Sequence, residues 1–242
     1  MQARVLVAGA TGAIGRRLTP LLARAGYEVF GTTRYESKAQ SLLDAGVIPV
    51  VVNVFDAPAL ERAAISIRPR IVVHQLTDLP PGLDPARMAE AVPRNARVRT
   101  AGTRNLVDAA LRAGAQRLVA QSIAWLYAPG GEPHAEEAPL VAEADGLRGV
   151  TLHGVKTLEA LTLGSPPLEG LVLRYGQICG PGTGSDEPRG EPGVHVDAAA
   201  HAALLAVERG SPGIYNVAED NAVVSTAKAR RELGWSADFR LS

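Results

Sequence analysis

The sequence VLVAGATGAIG at residues 5–15 places an apolar run directly before three glycines, and a segment with helical periodicity follows it. This order predicts a strand, a tight turn and a helix. Gly9 permits the turn, Gly12 has no side chain to block a pyrophosphate, and Gly15 lets the helix pack closely on the sheet. The N–H groups that begin the helix would bind the pyrophosphate. The predicted contact residues of this dinucleotide site are Gly9, Thr11, Gly12, Ala13, Ile14 and Gly15.

Composition places the chain among ordinary globular proteins. Its 242 residues are 46% hydrophobic and 21% charged, and 25 basic residues balance 25 acidic ones, so no net field favours a nucleic acid or a membrane as a partner. The first residues resemble neither a signal peptide nor a membrane span, which predicts a cytoplasmic protein. Cys179 is the only cysteine, and no His, Asp or Glu spacing suggests a metal site. The expected partner is a small-molecule substrate.

Apolar runs and helical segments alternate along the chain. With right-handed crossovers this alternation predicts an α/β fold, a doubly wound parallel sheet whose ligand lies beyond the carboxyl ends of the strands. Residues 47–54 are rich in valine and predict a strand buried on both faces, and a long helix is expected over 96–113. We predict a dinucleotide-binding domain over residues 1–175 and a small substrate-binding region over 176–242 that interleaves with it.

Six further segments of the sequence are characteristic when they are considered together. They are Asn53-Val54, Gly102-Thr103-Arg104-Asn105-Leu106, Leu173-Arg174-Tyr175-Gly176, Gly180-Pro181-Gly182, His195-Val196-Asp197 and the closing residues 230–235. Together with the glycine motif, this set resembles the extended short-chain dehydrogenase/reductases of the NAD-dependent epimerase/dehydratase family. The resemblance implies a Rossmann fold with a small C-terminal appendage, and a homodimer. The chain is shorter than the family leads one to expect around residues 189–192 and 221–224, so the substrate-binding region is expected to be thin.

The end of the second strand bears on the choice of cofactor. NAD sites generally carry an acid there, but this chain reads Gly31-Thr32-Thr33-Arg34. Arg34 could pair with a 2′-phosphate and Thr33 could add a hydrogen bond, which favours NADP, with NAD as the alternative. Arg16 is a second candidate for the same phosphate.

Four further residues are expected along the cofactor. Asn53 would hydrogen-bond an adenine edge, and Val54 would pack on the ring. Leu76 and Thr77 follow the fourth strand and would pass beneath the nicotinamide half.

The catalytic site is where the resemblance fails. The family uses Tyr-x-x-x-Lys, in which the lysine lowers the tyrosine pKa and the tyrosine exchanges a proton with the substrate. If Lys156 is the lysine, Leu152 stands at the tyrosine place; if Glu159 sets the register, Thr151 and Val155 stand at the two places. Neither register supplies the tyrosine.

The family also uses a serine or threonine that polarises the substrate. Counting back from Tyr127 puts Ile123 at this place, with Ser122 one residue away. A shift of one residue would restore Ser122, and Tyr127, Tyr175 or His153 could replace the missing tyrosine. The catalytic candidates chosen from this set are Ser122 and Tyr175.

Two functions are compatible with this pattern. The first is an NADP-dependent oxidoreductase or epimerase-like enzyme that acts on a small hydroxyl- or carbonyl-bearing substrate with a rearranged acid/base set. The alternative is a non-catalytic module that binds or senses NADP(H). The sequence favours the enzyme.

Overall fold

The computed structural model describes residues 2–241 and confirms the predicted doubly wound α/β fold. The strands are β1 (Arg4–Ala8), β2 (Glu28–Thr33), β3 (Ile48–Val51), β4 (Ile71–His74), β5 (Arg117–Ile123), β6 (Glu169–Tyr175), β7 (Gln177–Cys179), β8 (Gly193–His195) and β9 (Gly213–Val217). The central sheet has seven strands in the order β3-β2-β1-β4-β5-β6-β9, and every pair is parallel.

Helices cover both faces of this sheet. They are α1 (Ala13–Arg24), α2 (Ala39–Asp44), α3 (Ala57–Ile67), α4 (Pro85–Arg97), α5 (Thr103–Arg112), α6 (Gly146–Leu163) and α7 (Val196–Glu208), with π-helical turns at Val98–Gly102 and Ala229–Leu233. Val5 and Val7 pack into the core beneath α1 and α7, whereas Leu6 and Ala8 pack into the core beneath α3 and α5. The strand is apolar throughout because both of its faces are buried.

The order of the strands positions the site. The chain runs outward from β1 through β2 to β3, and then returns to the other side of β1 to form β4. The crossovers therefore diverge at β1, and a crevice opens beyond the carboxyl ends of β1 and β4.

The strand predicted over residues 47–54 differs from the observed one. β3 lies at the edge of the sheet and exposes Ile48 and Val51, so the prediction of burial on both faces is wrong. A valine-rich run does not distinguish an edge strand from a central one. Pro49 does, because a residue without an N–H group is tolerated in edge strands.

The helix predicted over residues 96–113 begins earlier, at Pro85. Asp84 caps it, with Oδ1 accepting a hydrogen bond from the N–H of Ala86 at 3.1 Å, and Pro85 occupies the first turn. One continuous helical rod therefore runs through α4, the π-helical turn and α5. The turn at Val98–Gly102 falls beside the crevice, and such turns are frequent at functional sites.

The C-terminal residues return to the main sheet. The predicted boundary after residue 175 coincides with the end of β6, after which β7 and β8 pair only with each other. β9 then adds to the edge of the central sheet beside β6, and α7 packs against α1. The division into two domains stays a prediction, since most of residues 196–217 belongs to the same layers as residues 4–175.

Candidate functional site

A single cleft of about 620 Å³ lies beyond the carboxyl ends of β1, β2, β4 and β5. One end is formed by the glycine turn and the residues that follow β2. The other end is formed by Gln121 and Ile123 of β5, Thr151 of α6, and Gln177 and Ile178 of β7. The cleft is thus long enough to connect the predicted dinucleotide site with the strand ends where the family places its chemistry.

The glycine turn has the shape that a pyrophosphate requires. Gly9 has φ +95°, and a Cβ atom there would lie 2.6 Å from the carbonyl oxygen of Gln75. A Cβ atom on Gly15 would overlap the Gly9 carbonyl, so these two glycines are needed by the fold itself. Gly12 is different, because its φ of −77° suits any residue and its Cβ would meet only Gly9 O at 3.3 Å. The free space above Gly12 is therefore space for a ligand.

The first residues of α1 divide into lining and packing positions. Gly9, Thr11, Gly12 and Ala13 line the cleft, and their contact with a dinucleotide stays a prediction. Ile14 and Gly15 lie on the buried face of α1, and Ile14 belongs to the hydrophobic core. Their contribution is to seat the helix so that its unpaired first-turn N–H groups face the cleft.

Cations gather at the end of the cleft that follows β2. Thr33, Arg34 and Arg16 line it, and so does Lys38, which sequence reasoning missed. Arg16 Nε donates to the carbonyl of Thr11 at 2.9 Å, which holds this side chain over the glycine turn. The Thr33 hydroxyl is used locally, since it accepts from the N–H of Tyr35 at 3.2 Å. Three basic side chains, Arg16, Arg34 and Lys38, therefore line this end of the cleft together with one carboxylate, Asp78.

Arg34 is only loosely held by the protein. Its Nη1 lies 4.0 Å from Oδ2 of Asp78, a carboxylate that also lies 3.7 Å from Nε of Arg94. The Arg34 side chain is 42% exposed, so such a pair contributes little stability. The guanidinium is therefore free to turn toward a ligand phosphate.

The segment after β3 is placed by the start of α5. The amide of Asn105 donates to the carbonyl of Val54 at 2.8 Å, and Gly102 leaves room for the Val54 side chain. Val54 and Phe55 consequently line the cleft. Asn53 does not; it is exposed, and its Oδ1 accepts from the N–H of Phe55 at 3.1 Å. The predicted contact of Asn53 with adenine stays untested, and its carbonyl oxygen is already used in this turn.

Leu76 and Thr77 line the middle of the cleft, beside Gln75. Gln75 is buried and donates from Nε2 to the Tyr175 hydroxyl at 3.4 Å, while its Oε1 has no hydrogen-bond partner among residues 2–241. A buried amide oxygen without a partner is costly, and it is satisfied when a ligand donor reaches it. The cradle and this orphaned acceptor together fit a dinucleotide with an amide-bearing ring.

His74 precedes this segment and is neutral. Its Nδ1 accepts from the N–H of Leu76 at 3.2 Å, so the proton lies on Nε2, which donates to Thr103 Oγ1 at 3.0 Å. Burial, and then the charge of Arg99, lower the pKa of His74 to about 4. The ring therefore positions the Leu76 backbone without carrying a charge.

The catalytic candidates Ser122 and Tyr175 lie behind the cleft surface. The Ser122 hydroxyl is fully buried and donates to Glu159 Oε1 at 2.6 Å. The Tyr175 hydroxyl donates to the carbonyl of Ala199 at 3.2 Å, and burial raises the pKa of this phenol. Neither side chain is among those that line the cleft. As acid/base residues both remain predictions, but their hydroxyl protons point into protein.

The places of the family's dyad can be located in α6. Thr151 lines the cleft, whereas Leu152 is buried and Lys156 is exposed, with Nζ donating to the carbonyl of Ala142 at 2.8 Å. The geometry thus favours the register set by Glu159. In that register Thr151 stands at the tyrosine place, and Val155 stands at the lysine place.

The surroundings of Val155 are apolar. It is fully buried in a small cluster with Ile123, Leu126 and Leu152. In the register set by Glu159, the positions expected for a proton-transferring set hold a threonine and two aliphatic side chains, and the absence of the family's dyad stays a prediction.

Several cleft residues were not found by sequence reasoning. Arg99, Gln121, Trp125 and Gln177 line the end of the cleft near Thr151, and none belongs to a motif. Arg99 did carry a signal, because it lies three residues before Gly102 on the buried face of a helix. A charged residue at such a position is rarely buried without a reason.

Two findings bear on other classes of function. Within residues 2–241, no group of three or more His, Cys, Asp or Glu side chains could hold a metal ion. Among the helices of the same residues, none has the length and apolar character needed to cross a membrane.

Comparison with known proteins places this cleft in context. A 3-diazoavenalumate denitrifying reductase from a Streptomyces species is 43% identical over 244 residues, which cover 90% of this chain and 76% of that protein. UDP-glucose 4-epimerases from Thermotoga maritima, solved with UDP-glucose, and from Thermus thermophilus, solved with NAD, have the same fold. The Thermotoga enzyme has a TM-score of 0.78 and 19% identity, and the match covers 98% of this chain and 94% of that one. The Thermus enzyme has a TM-score of 0.77 and 22% identity, and the match covers 98% of this chain and 95% of that one. The model of the NAD dependent epimerase/dehydratase family matches residues 5–238, and the chain belongs to that family.

Proposed function

We propose that this protein is a reductase that binds NADPH in preference to NADH and transfers its hydride to an electron-poor acceptor of the diazo class. One observation carries the proposal. The cleft carries the glycine turn expected of a dinucleotide site, and Ile123, Thr151 and the buried Val155 lie at its other end, where the resemblance places the proton-transferring residues. An acceptor that needs no protonated alkoxide suits such a site.

The relative from Streptomyces supports this choice of acceptor, because its name describes reduction of a diazo compound with loss of nitrogen. The reduced nicotinamide would supply the hydride, so that an arenediazonium ion and NADPH give the arene, dinitrogen and NADP⁺. Reduction of a ketone differs, since the alkoxide that forms must take up a proton from a placed acid. At the end of the cleft near Thr151, the described lining residues include no histidine, aspartate, glutamate, cysteine, tyrosine or lysine to provide one, because Tyr35, Lys38 and Asp78 line the end beside Arg34.

The chain's own residues bind and orient. The first-turn N–H groups of α1 would hold the pyrophosphate, and Arg34, Arg16 and Lys38 would favour the 2′-phosphate of NADPH. Gln75 Oε1 would accept a hydrogen bond from the carboxamide of the nicotinamide ring. These contacts would hold the ring in the cleft, beside the apolar side chains of Ile123, Trp125 and Ile178.

The test follows NADPH oxidation with an arenediazonium carboxylate as the acceptor and aryl ketones as a second set. The expected result is nitrogen release above the rate without protein, and transfer of deuterium from C4-deuterated NADPH to the arene. The Gly12→Ala variant, which should bind NADPH poorly, serves as the control for the uncatalysed reaction. Reduction of ketones in place of the diazonium would overturn the acceptor class. Tight NADPH binding without turnover of either set would instead favour a non-catalytic sensor.

A further inference from the structure

We propose that Arg99 is the anion-binding residue of the substrate and that the substrate is a planar aryl carboxylate. The inference rests on the proposed function, because it takes the end of the cleft beyond Thr77 as the substrate site. It goes further in naming the group that the protein recognises and the residue that recognises it.

Arg99 is a buried cation without a protein partner. The residue is 6% exposed and lines the cleft, yet within residues 2–241 no side chain or carbonyl forms an ion pair or accepts a hydrogen bond from its guanidinium. Burial lowers its pKa to about 10, which leaves it protonated at neutral pH. None of its guanidinium nitrogens is fully buried without a partner, so its donors open onto the cleft. A ligand anion that enters the cleft would pair with these donors and with their charge.

The carboxylate whose charge acts on Arg99 already has other partners. Glu159 is the carboxylate whose charge acts on Arg99, but its oxygens accept from Arg174 Nη2 at 2.6 Å, Arg174 Nε at 2.9 Å and Ser122 Oγ at 2.6 Å. The Glu159 carboxylate is therefore taken up by Arg174 and Ser122, and among the described residues Arg99 has no carboxylate paired with it.

The burial of Arg99 follows from the packing of α6 against the π-helical turn that carries it. The π-helical turn Val98–Gly102 carries it, and α6 approaches this turn at Gly154, where a Cβ atom would lie 3.4 Å from Arg99 Cβ and 3.2 Å from Ala96 Cα. Gly154 stands three residues after Thr151, so the two lie on one side of α6, where Gly154 meets the turn and Thr151 lines the cleft. Arg99 and Thr151 thus line the same cleft.

The rest of this end of the cleft selects the body of the ligand. Trp125 is 37% exposed and lines the cleft with Ile123 and Ile178, and Met88 and Val92 of α4 complete the wall. A flat apolar ring can stack on an indole and bury its surface there. One guanidinium beside this indole and these aliphatic side chains matches one carboxylate on an aromatic frame.

The test measures equilibrium binding of cinnamate and of cinnamamide, which share a shape and differ in charge. Titrations are run with and without saturating NADPH, on the full chain and on Arg99→Met, Arg99→Lys and Trp125→Leu. Arg104→Met is the matched control, because Arg104 is an exposed arginine on α5. Thermal melting of each variant shows whether it is folded, and the comparison of the two ligands on the unchanged protein needs no variant.

We expect the unchanged protein to bind cinnamate roughly tenfold or more tightly than cinnamamide, as for a charge-assisted bidentate pair. Arg99→Met should abolish this preference and leave NADPH binding within about twofold, Arg99→Lys should retain part of it, and Trp125→Leu should weaken both ligands alike. Equal binding of the two ligands to the unchanged protein overturns the inference, as does a preference that survives Arg99→Met. Loss of NADPH binding in Arg99→Met would assign Arg99 to the coenzyme instead. If NADPH fails to bind but cinnamate keeps its preference, the proposed function fails and the carboxylate site stands.

Discussion

Glu159 and Arg174 form a bidentate ion pair beneath the floor of the cleft, with Nη2 2.6 Å and Nε 2.9 Å from the carboxylate oxygens. The pair joins α6 to β6, and both side chains are less than a tenth exposed. Arg174 Nη1 also donates to the Tyr127 hydroxyl at 2.8 Å, and that hydroxyl donates to Asn216 Oδ1 at 2.7 Å. A connected buried network therefore ties β5, β6, β9 and α6 together and fixes the face of α6 that carries Thr151.

Replacing Glu159 by glutamine should lower the free energy of unfolding by about 3 kcal/mol, since the buried guanidinium of Arg174 loses its counter-charge. The control is Glu169→Gln. That carboxylate pairs with Arg117 at 2.6 Å but is 52% exposed, so its loss should cost no more than about 1 kcal/mol. Chemical denaturation of both variants measures the difference. Equal losses would show that the buried pair is no more important than the surface one.

Replacing Ser122 by alanine should leave hydride transfer nearly unchanged. Its hydroxyl points to Glu159 and away from the cleft, so the change removes one hydrogen bond to a charged group and costs roughly 2 kcal/mol of stability. Single-turnover oxidation of NADPH is the measurement, with unfolding followed in parallel. A loss of rate by about a hundredfold or more, at unchanged stability, would restore Ser122 to the catalytic set.

Gly12→Ala should separate ligand binding from folding. Its backbone suits alanine, and the new Cβ meets only one carbonyl oxygen, so stability should change by no more than about 1 kcal/mol. The methyl group fills the pyrophosphate space, and the Kd for NADPH should rise by roughly tenfold or more. Gly15→Ala is the contrasting variant, because its Cβ overlaps backbone and should destabilise the fold itself. Calorimetric titration and thermal melting distinguish the two. Unaltered NADPH binding by Gly12→Ala would place the pyrophosphate elsewhere.

The sequence was sufficient for the fold because local signals and the global arrangement agree. The glycine turn, the alternation of strands and helices, and the motifs at Gly102 and Asn105 each specify backbone geometry, and the structure shows what that geometry does. Errors arose where composition is ambiguous. The run at 47–54 has the valine content of a central strand, but its position in the sheet depends on which neighbours pair with it.

The site was predictable only where backbone shape decides it. The turn that would hold the coenzyme is specified by glycines that lie close together in the sequence. Arg99 reaches the cleft from a π-helical turn, and Trp125 reaches it from the loop after β5. No local sequence pattern predicts that these two side chains line the same cleft. Ser122 shows the converse case, because one residue of register along β5 decides whether a hydroxyl faces the cleft or Glu159.

Replacing Arg34 by alanine should weaken NADPH far more than NADH. Arg34 is exposed and loosely paired with Asp78, so its removal costs little stability but takes away a cation from the predicted 2′-phosphate site. The Kd for NADPH should rise by roughly tenfold or more, and the Kd for NADH by less than about threefold. Arg24→Ala, an exposed arginine at the end of α1, controls for net charge. Equal losses for both coenzymes would remove the assignment.

The stability of the protein should fall as the pH is lowered from 6.5 toward 4, in part because of His74. Its pKa in the folded chain is about 4, below the ordinary value of 6.5, so the unfolded chain takes up a proton that the folded chain excludes. The stabilisation is complete above pH 6.5 and is lost progressively below it, by about 3 kcal/mol in all. His74→Asn retains an acceptor for the N–H of Leu76 but does not titrate in this range. Its unfolding free energy should therefore vary less with pH than that of the unchanged protein, while His195 and His201, whose pKa values burial also lowers, contribute equally to both. Parallel pH profiles for the two proteins would mean that His74 takes up its proton as readily in the folded chain as in the unfolded chain. Its hydrogen bond from the N–H of Leu76 would then not be maintained at low pH.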